Sequence, residues 1–294
     1  MGVGFKKYLH VERFGTDEVD GIELGTVYVF PKLDGSNGSV WFENGEIKAG
    51  SRNRELTLDN DNQGFYKTIL DNYSCRLMGY FKQHPSCILY GEWLVPHTLK
   101  TYRPDAWHKF YIFDVYDTET QMFLPYDKYK AELEQFSLDF IDPIVKVKNG
   151  TEDDFRRYIN DGFLIEEGCG VGEGIVLKNY SFINKYGRTT WAKMVRNEFK
   201  EKSRRAMPTA ETKGKDTVEQ LIIDKYVTEM FILKEKSKLG EWSMSKTGEL
   251  LGRSWYEFIR EESWNFIKEF KNPTIDFKKL NRLFIMKVKE VVGI

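Results

Sequence analysis

The spacing of apolar residues changes once along the chain, near residue 200. Before that point the apolar residues come in short runs bounded by Gly, Asn and Asp, a pattern that predicts β-strands. The clearest runs are TVYVF, GSVWF, CILYGEWLV, FYIFDVY and GIVLKNY. Residues 64–83 and 128–138 have spacing closer to that of a helix. This mixture predicts an α+β domain built on antiparallel sheets.

After residue 200 the apolar residues recur at helical spacing, which predicts an all-helical C-terminal domain. Asp216 and Glu219 have the spacing of a capping box, and Asp276 is a candidate N-cap for the last helix. A polar stretch at residues 203–215 separates the two patterns. We therefore predict two domains, residues 1–203 and 204–294, which suits a chain of 294 residues.

The charge of the chain constrains any role in nucleic-acid binding. The formal net charge is -1, so such a role needs a local basic patch. Residues 193–215 contain eight Lys or Arg against three Glu. A stretch of this kind can follow a phosphate backbone or serve as a solvated linker, and both interpretations stay open.

Cysteine content and hydropathy indicate the compartment. Cys75, Cys87 and Cys169 fit neither a disulfide framework nor a zinc-ligand spacing, which predicts a reducing environment. No stretch approaches the roughly 18 apolar residues that a membrane-spanning helix needs. We expect a cytoplasmic monomer with no membrane partner.

The first candidate for chemistry is the sequence Lys32-Leu33-Asp34-Gly35, at the end of an apolar run. A lysine beside a glycine turn can be a phosphate clamp, a covalent nucleophile or the solvated end of a strand. Further short motifs follow in order: Ser51-Arg52-Asn53, Tyr90-Gly91-Glu92-Trp93, Phe110 to Asp114, Glu173 to Lys178, and Trp191-Ala192-Lys193.

This ordered series resembles the nucleotidyltransferase motifs of the covalent polynucleotide ligase and capping-enzyme superfamily. Within that superfamily, residues 32–37 and the helical tail look most like the RNA ligase 2 group. The resemblance implies an antiparallel nucleotidyltransferase fold and an ATP-dependent RNA ligase. It also implies ATP as the AMP donor, Mg²⁺ or Mn²⁺ as cofactor, and RNA with 5′-phosphate and 3′-hydroxyl ends as partner.

The resemblance assigns catalytic roles to five residues. Lys32 would be the nucleophile that becomes adenylylated, and Lys178 and Lys193 would supply nearby positive charge. Neighbouring cations favour the neutral, nucleophilic form of a lysine amine and stabilise charge on phosphoryl oxygens. Glu173 would hold the metal, and Glu92 would contact the ribose and metal-bound water.

Further nucleotide contacts are carried over from the family motifs: Asp34, Gly35, Asn37, Arg52 and Phe113. Phe113 would stack on adenine, although an alternating apolar run is also what a half-buried strand shows. Arg52 would meet the phosphate that accepts AMP, a task suited to guanidinium. Asn37 matches an asparagine characteristic of RNA ligases.

Two positions depart from the RNA ligase 2 pattern. Relatives commonly have a second lysine two positions after Lys193, whereas this chain has Val195; Arg196 is a candidate for the missing cation. Some relatives have histidine where this chain has Asp34, which could bind metal or brace the turn.

Other functions remain as alternatives. An ATP-dependent DNA ligase or a capping guanylyltransferase would usually carry a C-terminal OB-fold made of short strands, which the helical spacing argues against. A catalytically inactive RNA-binding relative is the other alternative, and the intact set of lysines and glutamates argues against it.

Overall fold

A computed structural model describes residues 3–96, 102–161, 164–166, 172–196 and 217–294. The chain divides into two compact units, Met1–Arg196 and Asn197–Ile294. The predicted domain boundary at residues 203 and 204 lies outside the described residues and stays a prediction.

The first unit is built on strands, as the short apolar runs predict. In chain order the strands are β1 (Val11–Arg13), β2 (Thr26–Lys32), β3 (Ser36–Glu43), β4 (Glu46–Ser51), β5 (Cys87–Leu94), β6 (Lys109–Asp117), β7 (Met122–Phe123), β8 (Val145–Lys148), β9 (Gly174–Lys178) and β10 (Trp191–Val195). They form a first sheet of order β1-β10-β9-β2-β8 and a second of order β4-β3-β5-β6-β7. Both sheets are antiparallel except that β1 pairs with β10 in parallel.

Among the described residues of this unit, four α-helices lie in the connections. They are α1 (Phe65–Thr68), α2 (Ser74–Gln83), α3 (Tyr126–Gln135) and α4 (Glu152–Arg156), and a π-helical turn, Ile69–Tyr73, joins α1 to α2. Short 3-10 helices occur at Asp17–Val19 and Pro104–Ala106. The helices predicted within residues 64–83 and 128–138 are confirmed, as is the α+β class.

The alternation along β2 shows how the sheets are buried. Val27 and Val29 pack with Leu177 in a core on one face of the first sheet. Phe30 points the opposite way and joins the large core that contains residues of the second sheet. Residues of β2 that alternate with Val27 and Val29 share the face of Phe30. Their side chains therefore point toward the space between the two sheets.

The second unit is helical in its described part, residues 217–294. Its helices are α5 (Val218–Tyr226), α6 (Glu229–Ser237), α7 (Thr247–Glu269) and α8 (Phe277–Val292), with a short 3-10 helix at Met244–Lys246. Their apolar faces meet in one core that includes Ile222, Leu250, Phe258, Leu280 and Phe284. The predicted helical class is confirmed.

The predicted helix caps have different outcomes. Asp276 is the N-cap of α8, and its carboxylate accepts the backbone N–H groups of Lys278 and Lys279. Asp216 lies outside the described residues, so the predicted capping box is not tested. The Glu219 carboxylate accepts the N–H of Asp276 at 3.0 Å, which ties α5 to the start of α8.

Within the described residues, no helix is both long and apolar enough to cross a membrane.

Candidate active site

Strand pairing brings three of the predicted lysines to one face of the first sheet. Lys32 at the end of β2 lies opposite Gly174 on β9. Lys178 lies four residues further along β9, and Lys193 on β10 lies opposite Val176. Because side chains alternate between the faces of a strand, these three lysines share the face turned toward the second sheet.

Lys32 and Glu173 form an accessible ion pair. The Lys32 Nζ lies 2.6 Å from Glu173 Oε2, and the two side chains are 24% and 15% exposed. Glu173 directly precedes β9, and its backbone carbonyl accepts the N–H of Arg196 at 3.0 Å. The pair is therefore held by the sheet at its backbone while both charged groups remain open to a substrate.

The turn after Lys32 is held tightly against β5. The N–H of Gly35 donates to Glu92 Oε1 at 2.9 Å. A Cβ atom at Gly35 would lie 2.6 Å from the carbonyl oxygen of Trp93, so only glycine allows this approach. The N–H of Asp34 donates to the hydroxyl oxygen of Tyr102 at 2.7 Å, and Asp34 itself is buried. Glu92 and the Lys32 turn are thus neighbours.

Asn37 and Arg52 lie on strands that continue from this turn. Asn37 on β3 is directly opposite Glu92 on β5. Arg52 directly follows β4 and is half-buried. Its positive charge acts on the Tyr8 hydroxyl and partly offsets the rise in the pKa of Tyr8 that burial causes. Asn37 is thereby brought beside the Lys32 turn, while the contact of Arg52 with a phosphate stays a prediction.

Lys178 is enclosed, in contrast to Lys32. Its Nζ lies 2.8 Å from Asp114 Oδ1, and the two side chains are 2% and 0% exposed. It also donates to the carbonyl oxygen of Phe113 at 2.5 Å. Its Nζ lies 4.6 Å from the ring centre of Phe30, 5.5 Å from that of Phe113 and 5.9 Å from that of Trp191. We call these three rings with Asp114 the Lys178 cage.

Burial dominates the electrostatics of the Lys178 cage. It lowers the pKa of the Lys178 ammonium and raises the pKa of the Asp114 carboxyl, because removal from water disfavours both charged forms. Asp114 also accepts hydrogen bonds from the Tyr8 hydroxyl and from Trp191 Nε1, the latter at 3.1 Å. These donors stabilise the carboxylate in an interior where an unpaired charge would be strongly destabilising.

Sequence reasoning missed Asp114 and Tyr102 as members of the site. Asp114 carries a signal in the sequence, since it is the one acid within the apolar run FYIFDVY, where a buried charge needs a partner. Tyr102 carries no comparable signal, because its contact with Asp34 joins positions 68 residues apart.

A β-bulge aims Phe113 toward the Lys178 cage. Tyr90 lies opposite Asp114 and Gly91 lies opposite Ile112, so Phe113 is an extra residue without a partner on β5. In a regular strand successive side chains point to opposite faces. The bulge lets both the Phe113 ring and the Asp114 carboxylate reach the same lysine. Stacking of Phe113 on adenine remains a prediction.

The end of β10 holds the remaining predicted cations. Lys193 and Arg196 are both buried, at 8% and 7% exposure. Val195, where relatives have a second lysine, lies opposite Gly174. Arg196 directly follows Val195 and is joined to Glu173 by the backbone hydrogen bond described above. The rest of the basic stretch, residues 197–215, lies outside the described residues.

The donor set at this site suits a metal that brings its own water ligands. Among the described residues, no group of three or more His, Cys, Asp or Glu side chains is arranged to hold a metal ion. Glu173 does offer an accessible carboxylate beside Lys32. Mg²⁺ commonly binds through one or two carboxylates and completes its shell with water and phosphate oxygens.

Solved structures share this fold. A Naegleria gruberi RNA ligase with PPi matches with a TM-score of 0.52 and 21% identity, over 68% of this chain and 58% of that chain. A mutant of that ligase with ATP and Mn matches with a TM-score of 0.52 and 20% identity, over 67% and 58% of the two chains. This chain thus spans less than two thirds of the length of these ligases. At such identities the likeness shows a common fold.

The fold and the lysine-bearing sheet face define a nucleotidyltransferase-like domain. The model of the RNA ligase family matches residues 25–195, more than half of the 294 residues. The chain therefore belongs to the RNA ligase family. Comparison with curated proteins finds no match.

Proposed function

We propose that this protein is an ATP-dependent RNA ligase that joins 5′-phosphate and 3′-hydroxyl RNA ends through AMP bound covalently to Lys32. The observation that carries the proposal is the accessible pair of Lys32 and Glu173, 2.6 Å apart on the sheet face shared with Lys193. Family membership and the ATP, AMP and Mn complexes of the Naegleria ligase support it.

The proposed reaction has three steps. The Lys32 amine, having lost its proton, attacks the α-phosphorus of ATP; a P–N bond forms, the P–O bond to pyrophosphate breaks, and pyrophosphate leaves. An oxygen of the RNA 5′-phosphate then attacks the same phosphorus; a P–O bond forms, the P–N bond to Lys32 breaks, and the lysine nitrogen takes up a proton and leaves as the amine. Finally the 3′-hydroxyl oxygen attacks the 5′-phosphate, which forms the phosphodiester bond and expels AMP.

The residues of the site have distinct tasks in this scheme. Glu173 would hold the divalent metal, which when bound supplies positive charge to the phosphate oxygens. The same carboxylate orients the Lys32 amine, and Lys193 adds charge for the transition state. Glu92 fixes the turn through Gly35, and its other oxygen faces the nucleotide side in this proposal. In this proposal Lys178 stays buried in the Lys178 cage and holds the Phe113 ring in position to stack on adenine.

The alternatives fit the described structure less well. A DNA ligase or capping enzyme usually carries an OB-fold of short strands after the nucleotidyltransferase domain. The described residues after 216 contain helices and no strand. An inactive relative would have no need of an accessible lysine beside a carboxylate.

Radiolabelled ATP tests the proposal. Incubation of the full chain with α-labelled ATP and Mg²⁺ should give a protein band that resists SDS and loses its label in acid, as a P–N bond does. Chelation of the metal should prevent labelling. Sealing should then be measured on RNA and DNA strands with matched ends. No labelled protein, or labelling by GTP in preference to ATP, would reject this function.

The helical unit offers a surface for the RNA partner. Helix α8 carries five Lys or Arg against one Glu. Lys278, Arg282 and Lys289 are exposed and spaced at i, i+4 and i+11, which puts them on one face. That face is opposite the core residues Leu280 and Phe284. We define these three cations as the α8 basic face and propose that it contacts the phosphate backbone of RNA.

Charge reversal tests the α8 basic face. Changing Lys278, Arg282 and Lys289 to Glu should weaken RNA binding and reduce the salt dependence of affinity by roughly one unit of slope for each phosphate that is no longer neutralised. AMP labelling of Lys32 should persist, because the face plays no part in the first step. The control is a triple variant of Lys67, Lys82 and Lys128, which lie in the first unit. Equal weakening by both variants would contradict a specific role of α8.

A further inference from the structure

Tyr102 reaches into the turn that follows Lys32 from outside both sheets. Its ring is 4% exposed and packs edge-on against Trp107, with ring centres 5.2 Å apart. Its backbone forms an isolated bridge with Ile165, and the N–H of Arg103 donates to the carbonyl of Leu164 at 2.9 Å. The tyrosine is therefore fixed at its backbone and at its ring.

The hydroxyl of Tyr102 is one of two side-chain acceptors that hold consecutive peptide groups of the turn. It accepts the N–H of Asp34 at 2.7 Å, while Glu92 accepts the N–H of Gly35 at 2.9 Å. Glu92 comes from β5 and Tyr102 from the segment that follows it. The turn is thus fixed from two directions, directly after the lysine.

The surroundings of the hydroxyl explain why a neutral acceptor occupies this position. Burial, together with the charges of Asp34, Glu173 and Glu92, raises the pKa of Tyr102 well above its ordinary value. The hydroxyl therefore stays neutral while three carboxylates lie around it. A lysine or arginine here would compete with Lys32 for Glu173, whereas a neutral hydroxyl leaves that ion pair intact.

We infer that Tyr102 is a positioning residue for AMP transfer to Lys32, an inference that rests on the proposed function. Its hydroxyl fixes the peptide group of Asp34 and thereby the backbone that directly follows Lys32. The position of that backbone determines where the Lys32 amine lies relative to the α-phosphorus. Tyr102→Phe keeps the ring and its packing against Trp107 but leaves the Asp34 N–H without this acceptor. A buried N–H that loses its hydrogen-bond acceptor is energetically unfavourable, so the turn should rearrange.

The effect should be confined to the first step. A displacement of about 1 Å of a reacting group can slow a reaction about 100-fold, so Tyr102→Phe should slow AMP transfer to Lys32 by about 10- to 100-fold. The ATP concentration for half-maximal rate should change less than about threefold, because the turn affects geometry more than ground-state binding. Sealing of RNA that already carries 5′-AMP does not use the lysine amine and should stay near the wild-type rate.

Tyr111→Phe is the matched control. Tyr111 is 5% exposed, and its hydroxyl donates to the carbonyl of Ala106 at 3.2 Å, so this variant also removes one buried hydroxyl hydrogen bond. Both variants and wild type should be compared as full chains in single-turnover labelling with ATP, in sealing of pre-adenylylated RNA, and in thermal unfolding. Hydrogen exchange of the Asp34 amide should rise at least about tenfold in Tyr102→Phe alone.

The outcomes distinguish a failure of the positioning role of Tyr102 from a failure of the proposed function. A slow first step with normal sealing, seen in Tyr102→Phe and absent in Tyr111→Phe, supports the positioning role. Labelling of Tyr102→Phe at the wild-type rate would overturn it, and so would an equal loss of both steps in the two variants. If wild type itself takes up no AMP, the proposed function fails and this inference fails with it.

Discussion

Lys32 and Lys178 lie on neighbouring strands and on the same face of the first sheet, yet their environments are opposite. The ion pair of Lys32 with Glu173 has side chains 24% and 15% exposed. The pair of Lys178 with Asp114 has side chains 2% and 0% exposed. The difference comes from what covers each lysine. Three aromatic rings surround Lys178, whereas Lys32 is the last residue of β2 and its side chain is partly exposed.

This contrast separates two uses of a lysine in one fold. A lysine that exchanges a proton and forms a covalent bond must contact the substrate. Its amine must therefore be accessible to the substrate and able to separate from its ion-pair partner. A lysine sealed among rings and a carboxylate organises its neighbours and is poorly placed to react. Motif matching predicts Lys32 as the nucleophile and Lys178 as a nearby cation, and only the structure shows how different their surroundings are.

The largest expected effect comes from removing the accessible lysine. Lys32→Ala should abolish AMP labelling while the chain stays folded, because its side chain is partly exposed and lies at a strand end. Lys48→Ala is the matched control, since Lys48 is 26% exposed and pairs with Glu46 at the same 2.6 Å. Mass spectrometry of ATP-treated protein measures the result. Adenylate retained by Lys32→Ala would remove the lysine from its proposed role.

The second effect, on stability, concerns the enclosed lysine. Lys178→Met leaves Asp114 charged and buried, and breaking a buried pair in this way typically destabilises by about 3–5 kcal/mol. The double variant Lys178→Met with Asp114→Asn removes both charges and should recover part of that loss. Urea unfolding of the three chains measures the coupling. If Lys178→Met unfolds like wild type and loses only activity, the cage is not structural.

A smaller effect is expected for a charged group in the helical unit. Interactions of the Glu219 carboxylate, first of all with the Asp276 N–H, lower its pKa to about 2 from 4.5. Since the folded pKa lies below the unfolded one, this stabilisation is complete above pH 4.5 and is lost as the pH falls toward 2. Glu219→Gln should therefore lower stability by about 2 kcal/mol at neutral pH. The deficit should narrow at pH of about 3.

Unfolding in urea at both pH values checks this prediction. The exposed carboxylate of Glu290, which pairs with Lys287 at 3.2 Å and is 71% exposed, provides the control as Glu290→Gln. That variant should change stability little at either pH, because exposed pairs contribute little. A Glu219→Gln deficit of the same size at both pH values would show that charge is not its cause.

Much of the architecture was predictable because hydrophobic spacing is a local property. The strand runs, the two helical segments of the first unit and the helical tail follow from periods of two and 3.6 residues. The motifs also pointed to Lys32, Glu92 and Glu173, which the structure brings together around one turn. Their roles with ATP and metal remain predictions.

The contacts that define the site were not predictable, because they join distant positions. Lys178 was expected to be a cation beside the nucleotide, and nothing in GIVLKNY shows that Asp114 and three rings would enclose it. The contact of Tyr102 with Asp34 likewise depends on a segment without apolar periodicity. Pairings of this kind depend on how strands align across the sheets, and a single sequence holds no direct signal for that alignment.

The extra residue in β6 has a consequence for anyone who redesigns this protein. A one-residue deletion at Phe113 would restore a regular ladder between β5 and β6, and by ordinary design criteria the sheet would look improved. The deletion would, however, remove the Phe113 ring from the Lys178 cage. Loop grafts and chimaeras that cross this strand should therefore preserve its irregular length rather than its average hydrophobicity.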